Sequence, residues 1–213
     1  LNNLVSVSFP PGELKVLGSF TNCPKLVSVS LPDTLIEISA GAFTGNQSLV
    51  EIVIPDSVKV IGDEAFSYCE NLEYVEFPEA LETIGHWVFA FSPKISRVDI
   101  PMNVSKIDDQ GFSQMPGLVE IIVSSENQYY ASHQGVLYDK DLTTLLTYPK
   151  MKTETTYVLP ISVIKIVDYA FSENTFVEHI VLPEGLKAIG IRAFADLTSL
   201  SIINLPDGLE SIG

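Results

Sequence analysis

The stretch Leu49-Val50-Glu51-Ile52-Val53-Ile54-Pro55-Asp56-Ser57-Val58-Lys59-Val60-Ile61-Gly62-Asp63-Glu64-Ala65-Phe66 decides the fold. Ile52 and Ile54 alternate with Glu51 and Val53, the period of a strand with one buried face. Pro55 has no N–H to give to a ladder and ends that strand. Val58 and Ile61 turn inward again three residues apart, which predicts a second short extended pass. Gly62 permits a tight bend, and Ala65-Phe66 is expected on a helical or 3₁₀ turn with the ring plugging the core.

The same unit recurs along the chain. Pro32, Pro55, Pro78 and Pro101 are spaced by 23, as are Pro160, Pro183 and Pro206, and Pro10 precedes Pro32 by 22. Phe20, Phe43, Phe66, Phe89 and Phe112 keep the same interval, and so do Phe171 and Phe194. Two residue types sharing one period make internal repetition the governing feature. A degenerate first copy, four regular ones, one long copy, two regular ones and a last copy ending at Gly213 make nine. One such unit cannot bury its own apolar face; stacked units can, which is the logic of a solenoid. Pro24, Pro93 and Pro116, four residues after a column Phe, stop the turn that carries it. The first copy is irregular around Pro10-Pro11-Gly12, and Ile-Gly becomes Ile38-Ser39, Ile107-Asp108 and Ile166-Val167. The Ala before Phe becomes Val88 and Gly111.

The copy from Leu118 to Thr153 is longer, at 36 residues. Within it, Val136–Tyr138 and Leu145–Tyr148 are predicted as hairpin strands with Asp139-Lys140-Asp141 at the turn. The domain reading is therefore a single solenoid over 1–213: regular repeats at 1–117, an extended repeat with a hairpin at 118–153, and regular repeats at 154–213.

The unit Leu-x-x-Ile-x-Ile-Pro…Ile-Gly-x-x-Ala-Phe, over essentially the whole chain, resembles BspA-type leucine-rich repeats. Such repeats occur on surface proteins of oral and gut anaerobes and of some mucosal protists. The long copy with its Gly135-Val136-Leu137-Tyr138 start looks like the extended repeat of many members. The Asn ladder of generic leucine-rich repeats is absent from this pattern, and Pro stands at the corresponding turn. The resemblance implies a curved, mostly parallel β-solenoid with short helical or 3₁₀ turns. It implies adhesion to host matrix, plasma or cell-surface proteins, and it brings no catalytic residues.

Composition narrows the chemistry. With 46% apolar residues the chain can build a sizeable core. Its 27 Asp and Glu against 12 Lys and Arg give a net charge of −15, which repels nucleic acid and anionic lipid as general partners. No apolar run is long enough to span a bilayer. The first residues carry neither a basic stretch nor a signal core, and both termini suggest a piece of a longer exported protein. Neither a Gly-x-Ser-x-Gly elbow nor a phosphate-binding glycine motif is present, and no His pair or Cys-x-x-Cys has zinc spacing. No enzyme activity, cofactor or metal is expected.

In a solenoid the inward positions are committed to packing, so function falls to the outward ones. Two columns leave the first strand: Ser6, Ser28, Glu51, Tyr74, Arg97, Glu120, Thr156, His179 and Ile202; and Ser8, Ser30, Val53, Glu76, Asp99, Ile122, Val158, Val181 and Asn204. Tyr74, Glu76, Arg97 and Asp99 mix an aromatic, an Arg and acids in the manner of an interface, against the plainer reading of a solvated face. The candidate protein-binding residues are Glu51, Tyr74, Glu76, Arg97, Asp99, Glu120 and His179. Their expected partner is a host or cell-surface protein of unspecified identity. A structural spacer that holds another domain away from the surface is the competing function.

Other features have structural readings. Asp33, Asp56, Glu79, Glu184 and Asp207 follow the column proline; calcium is conceivable there, but ordinary turn chemistry explains them better. Cys23 and Cys69 lie two copies apart, about 10 Å at the usual strand spacing, too far for a disulfide, and read as buried thiols. His86 stands where its neighbouring copies have Asp63 and Asp109 and reads as a turn residue. Asn46-Gln47-Ser48 and Asn103-Val104-Ser105 are sequons. Tyr129, Tyr130, Tyr138 and Tyr148 either offer a contact point or cover the edge where the stack is interrupted; the second reading is favoured.

Overall fold

The computed structural model describes residues 1–10, 12–108 and 110–213. Pro11 of the irregular first copy and Asp109 of the Asp63/His86 column lie outside the described residues. The chain winds into a β-solenoid of about nine coils. The first five coils contribute two strands each: β1 (Ser6–Ser8) and β2 (Val16–Leu17); β3 (Ser28–Ser30) and β4 (Glu37–Ile38); β5 (Glu51–Val53) and β6 (Val60–Ile61); β7 (Tyr74–Glu76) and β8 (Thr83–Ile84); β9 (Arg97–Ile100) and β10 (Lys106–Ile107). The long copy contributes β11 (Glu120–Val123), β12 (Tyr130–His133), β13 (Val136–Asp139) and β14 (Thr144–Thr147). Three final coils follow: β15 (Thr156–Val158) and β16 (Lys165–Ile166); β17 (His179–Val181) and β18 (Ala188–Ile189); β19 (Ile202–Ile203) and β20 (Ser211–Ile212).

The second strands of the first five coils form one parallel ladder, β2-β4-β6-β8-β10, whereas the first strands pair in parallel in groups, β1-β3, β5-β7, β9-β11 and β15-β17-β19, as in Glu37↔Val60, Glu51↔Tyr74 and His179↔Ile202. Each proline closes its strand and then opens the next turn. The carbonyls of Pro32, Pro55, Pro78, Pro101, Pro160, Pro183 and Pro206 each accept the N–H three residues on, at 3.0–3.4 Å.

The segment around the column Phe departs from expectation. Among the described residues there is no helix or 3₁₀ element. Glu64 (φ +54°) and Tyr68 (φ +55°) flank Phe66 in the left-handed region, as do Trp87 and Phe91 around Phe89, and Tyr169 and Glu173 around Phe171. A left-handed residue on each side breaks any right-handed run. The freed backbone groups bond across coils instead. The N–H groups of Glu64, Phe66 and Tyr68 donate to the carbonyls of His86, Val88 and Ala90 at 2.7–2.9 Å. The turn is thus a third coil-to-coil ladder.

Gly62 also serves a different purpose from the one its sequence suggests. Its φ is not left-handed, but a Cβ there would come within 2.5 Å of the Ala40 nitrogen on the preceding coil. Gly85 and Gly190 repeat this against Asp63 and Asp168. Glycine is required by how closely the coils approach.

The long copy contains three antiparallel strands rather than two. β12 pairs with β13 and β13 with β14. Gln134 (φ +52°) and Gly135 (φ +77°) form the two-residue turn between β12 and β13, the doubly left-handed geometry that suits a hairpin. β14 then pairs in parallel with β16 and restarts the regular ladder. Asp139 closes the second turn, with its carboxylate accepting the N–H groups of Thr143 and Thr144 at 2.6 and 2.9 Å.

The meander divides the interior. One apolar cluster runs from Leu17 to Leu137 and a second from Val136 to Leu197. β13 is the partition, with Leu137 in the first cluster and Val136 and Tyr138 in the second; Leu146 packs against both. In the first, Phe20, Phe43, Phe66 and Phe89 stack at centroid separations of 6.2, 5.5 and 5.7 Å. In the second, Tyr148, Phe171 and Phe194 continue the column at 4.6 and 5.3 Å. The buried members, Phe43, Phe66, Phe89, Tyr148 and Phe171, contribute about 1.5–3 kcal/mol each, and the partly buried Phe20 and Phe194 at the column ends less.

Candidate protein-binding face

The first strands of each coil place alternate side chains inside and out. Ile52, Val75, Val98, Tyr157 and Ile180 are buried, while their neighbours in sequence form the outward columns. Parallel register at the repeat interval then sets the outward side chains side by side: Glu51 beside Tyr74, Val53 beside Glu76, and Arg97 beside Glu120.

Arg97 is the centre of a charged cluster. Its Nε and Nη2 donate to the carboxylate of Asp99, two residues along the same strand, at 2.6–3.0 Å. Its Nη1 donates to Glu120 on the next coil at 3.0 Å. Hydrogen bonding and charge from Asp99 first, then charge from Glu120, push the guanidinium still further above its ordinary value. These groups are solvent-exposed, so the cluster orients side chains more than it stabilises the fold.

Five of the seven candidate residues, Tyr74, Glu76, Arg97, Asp99 and Glu120, thus lie on consecutive coils, with Glu51 one strand before them. His179 is on β17, in the sheet beyond the meander, paired with Thr156 and Ile202. It belongs to a separate part of the face.

A cleft of about 540 Å³ opens on this face, lined by Glu51, Val53, Asp56, Glu73, Tyr74, Glu76, Phe77 and Glu79 among others. An adjoining one of about 270 Å³ shares Tyr74, Glu76, Phe77 and Glu79 and adds Asp99 and Ile122. A third opening, of about 670 Å³, lies beside the meander on the second-strand side. It is lined by Met102 and Tyr129 and by the Lys59–Glu82 ion pair, and so carries both signs of charge.

The remaining chemistry-bearing residues are structural. Among the described residues, no group of three or more His, Cys, Asp or Glu could hold a metal ion. Cys23 and Cys69 are free thiols, wholly buried. Burial pushes the Cys69 thiol up to about 12.

The cysteines belong to a ladder absent from the sequence reading. Cys23, Asn46, Cys69 and Ser92 stand three residues after each column Phe. The N–H of Cys23 donates to Asn46 Oδ1 at 2.9 Å, and that of Cys69 to Ser92 Oγ at 3.1 Å. Asn174 bonds the carbonyls of Pro149 and Lys152 and the N–H groups of Phe176 and Val177. A polar rung therefore exists on this column, in mixed Cys/Asn/Ser form. The equal 23-residue spacing of residues 23, 46, 69 and 92 was the available signal. Burial of Asn46 also closes the first sequon.

His86 is a turn residue whose Nδ1 lies 2.8 Å from Asp108 Oδ1. Of the four clustered tyrosines, Tyr138 and Tyr148 are core. Tyr130 Oη accepts the N–H of Ile107 at 2.8 Å and caps the end strand β10, and Tyr129 is exposed.

Coils of this length, with Pro and Phe columns and an outward strand face, define a leucine-rich-repeat solenoid. A profile of the BspA type leucine rich repeat region matches in six copies over residues 3–134 and 150–213, and the chain belongs to that family. The unmatched gap is the part of the meander that holds β13 and β14. The chain is similar to the pneumococcal vaccine antigen PcpA, with a TM-score of 0.86 at 29% identity over 96% of this chain and 57% of that one. It is similar in fold to a leucine-rich repeat protein from Eubacterium ventriosum, with a TM-score of 0.74 at 24% identity over 89% and 58%. A leucine rich cell surface protein from Faecalibacterium prausnitzii gives 0.57 at 22% identity over 97% and 77%. The chain spans less than two thirds of the length of the first two. No curated protein matches the sequence. Among the described residues, no helix is long and apolar enough to cross a membrane.

Proposed function

We propose that this chain is a non-enzymatic protein-binding module, displayed on a bacterial cell surface or secreted, that takes part in adhesion through its first-strand face. The observation that carries the reading is the patch on consecutive coils: Tyr74 and Glu76 on the β5–β7 pair and Arg97, Asp99 and Glu120 on the adjoining β9–β11 pair face outward over a packed apolar interior. Aromatic and Arg side chains on a preorganised backbone are the usual anchors of protein interfaces. The names of its relatives support the setting, since one is a vaccine antigen and another a cell surface protein.

The test is a binding screen of the chain against purified host matrix, plasma and epithelial surface proteins, repeated with Tyr74→Ala combined with Arg97→Ala. Saturable binding that falls by about tenfold or more in the double variant supports the reading. A bound partner indifferent to both substitutions removes this patch. A screen with no partner at all favours the spacer.

A further inference from the structure

The charges around Tyr74 are unevenly distributed. No Lys, Arg or His lines either of the two clefts that meet at Tyr74 and Glu76, whereas Glu51, Asp56, Glu73, Glu76, Glu79 and Asp99 do. Three cations on the same coils are already engaged: Lys94 with Glu73 at 3.2 Å, Arg97 with Asp99 and Glu120, and Lys59 with Glu82. Among the described residues, Glu51, Asp56, Glu76 and Glu79 make no ion pair. Elsewhere the repeat neutralises such acids across coils, as in Lys59–Glu82 and Lys187–Glu210. Between the acids the surface is apolar, with Val53 78% and Tyr74 48% exposed.

We propose that this part of the sheet face is a docking groove for a basic, extended polypeptide segment. The assignment rests on the protein-binding reading above and supplies the chemistry of the partner. An Arg or Lys side chain is an aliphatic stem with a cationic head. Laid over Val53 and Tyr74, it buries the stem and delivers the head to Glu51, Glu76 or Glu79; a guanidinium also stacks on the Tyr74 ring. From β5 to β11 the groove crosses three coil-to-coil steps, about 14 Å, the reach of about four extended residues. Anionic partners such as nucleic acid, sulfated glycans or acidic lipid are repelled by the same field. The groove therefore selects by sign, and the apolar strip separates polypeptide from small polyamines.

The test uses fluorescence anisotropy with a labelled peptide of alternating Arg and Val, a matched peptide of alternating Glu and Val, and spermine as competitor. Two charge-reversed proteins are compared. Glu51→Lys with Glu76→Lys alters the groove. Glu184→Lys with Asp207→Lys makes the same change in net charge on turns beyond the meander. All four side chains are exposed, and unchanged circular dichroism shows that the fold is kept. The expected result is binding of the Arg peptide alone, about tenfold or more weaker in the groove variant and nearly unchanged in the distal one, with Tyr74→Ala also weakening it. Equal losses in both variants, no loss in either, binding of the Glu peptide, or displacement by spermine as effectively as by unlabelled peptide overturns the groove. A surface-protein partner whose binding survives reversal of the groove leaves adhesion standing and removes this assignment. Peptide binding without any partner in the surface-protein screen does the reverse.

Discussion

Tyr148 stacks on Phe171 with ring centroids 4.6 Å apart, one repeat interval earlier in the chain. The longest copy therefore returns to the aromatic column, with a phenol where the others have a benzyl ring. That phenol is out of place in one respect: its hydroxyl is buried and has no hydrogen-bond partner among the described residues.

Tyr148→Phe is therefore expected to stabilise the protein by about 1 kcal/mol, because an unsatisfied buried hydroxyl costs about 1–3 kcal/mol. Tyr148→Ala, which empties the column, is expected to cost about 3–5 kcal/mol. Urea denaturation of both variants checks this; a lower midpoint for Tyr148→Phe would show that the hydroxyl is satisfied.

The three buried tyrosines predict alkaline behaviour. Burial pushes Tyr157 up to about 12, and pushes Tyr138 and Tyr148 higher still. In the unfolded chain each phenol ionises near 10. Their contribution to stability is therefore fully present below pH 10 and is lost as the pH rises, through about 12 for Tyr157 and beyond it for Tyr138 and Tyr148. Ultraviolet titration is expected to show Tyr138, Tyr148 and Tyr157 resisting ionisation until the protein unfolds. Smooth titration of all three in the folded state would contradict the packing described.

Gly62 and Glu64, two residues apart, predict opposite signs. Gly62→Ala drives a Cβ to within 2.5 Å of the Ala40 nitrogen and is expected to cost about 1–3 kcal/mol. Glu64→Gly relieves a left-handed residue at φ +54° and is expected to gain about 0.5–1 kcal/mol. Thermal melts of the two variants should move in opposite directions.

Asp139 predicts acid sensitivity of the meander. Burial raises its carboxyl, but hydrogen bonds from Thr143 and Thr144 outweigh this and hold it below the usual 3.8. A depressed carboxyl contributes stability above its unfolded value and loses it as the pH falls through the folded one. Asp139→Asn should therefore be less stable than the parent at pH 7, by about 1 kcal/mol, the usual worth of a capping side chain. The gap should close below pH 3.8. A gap that persists in acid would assign the loss to shape rather than charge.

Much of this architecture is visible in the spacing of Pro55 and Phe66 and their equivalents, because one residue of fixed φ and one large ring per coil leave little choice of register. The alternation of Ile52 and Ile54 with Glu51 and Val53 gives the strand face directly. Three things are hidden. The Phe66 turn resembles a helix locally, and only its bonds to the next coil make the left-handed path favourable. β12, Tyr130-Ala131-Ser132-His133, lacks an alternating aliphatic pattern, and its cue is the Gln134-Gly135 turn. The acidic groove depends on where Lys94 and Arg97 reach, which no periodicity encodes; the adjacency of Arg97 and Glu120, by contrast, follows from counting repeats.

The alternation of β13 between two interiors has a mechanical counterpart. In an unbroken pile of identical layers, a disturbance in one layer is handed to the next along continuous rows of side chains. Here those rows stop on either side of a single thin wall, with Leu146 touching both compartments. The two compartments are therefore expected to open as separate units, which hydrogen exchange of their buried amides would show as two distinct opening free energies.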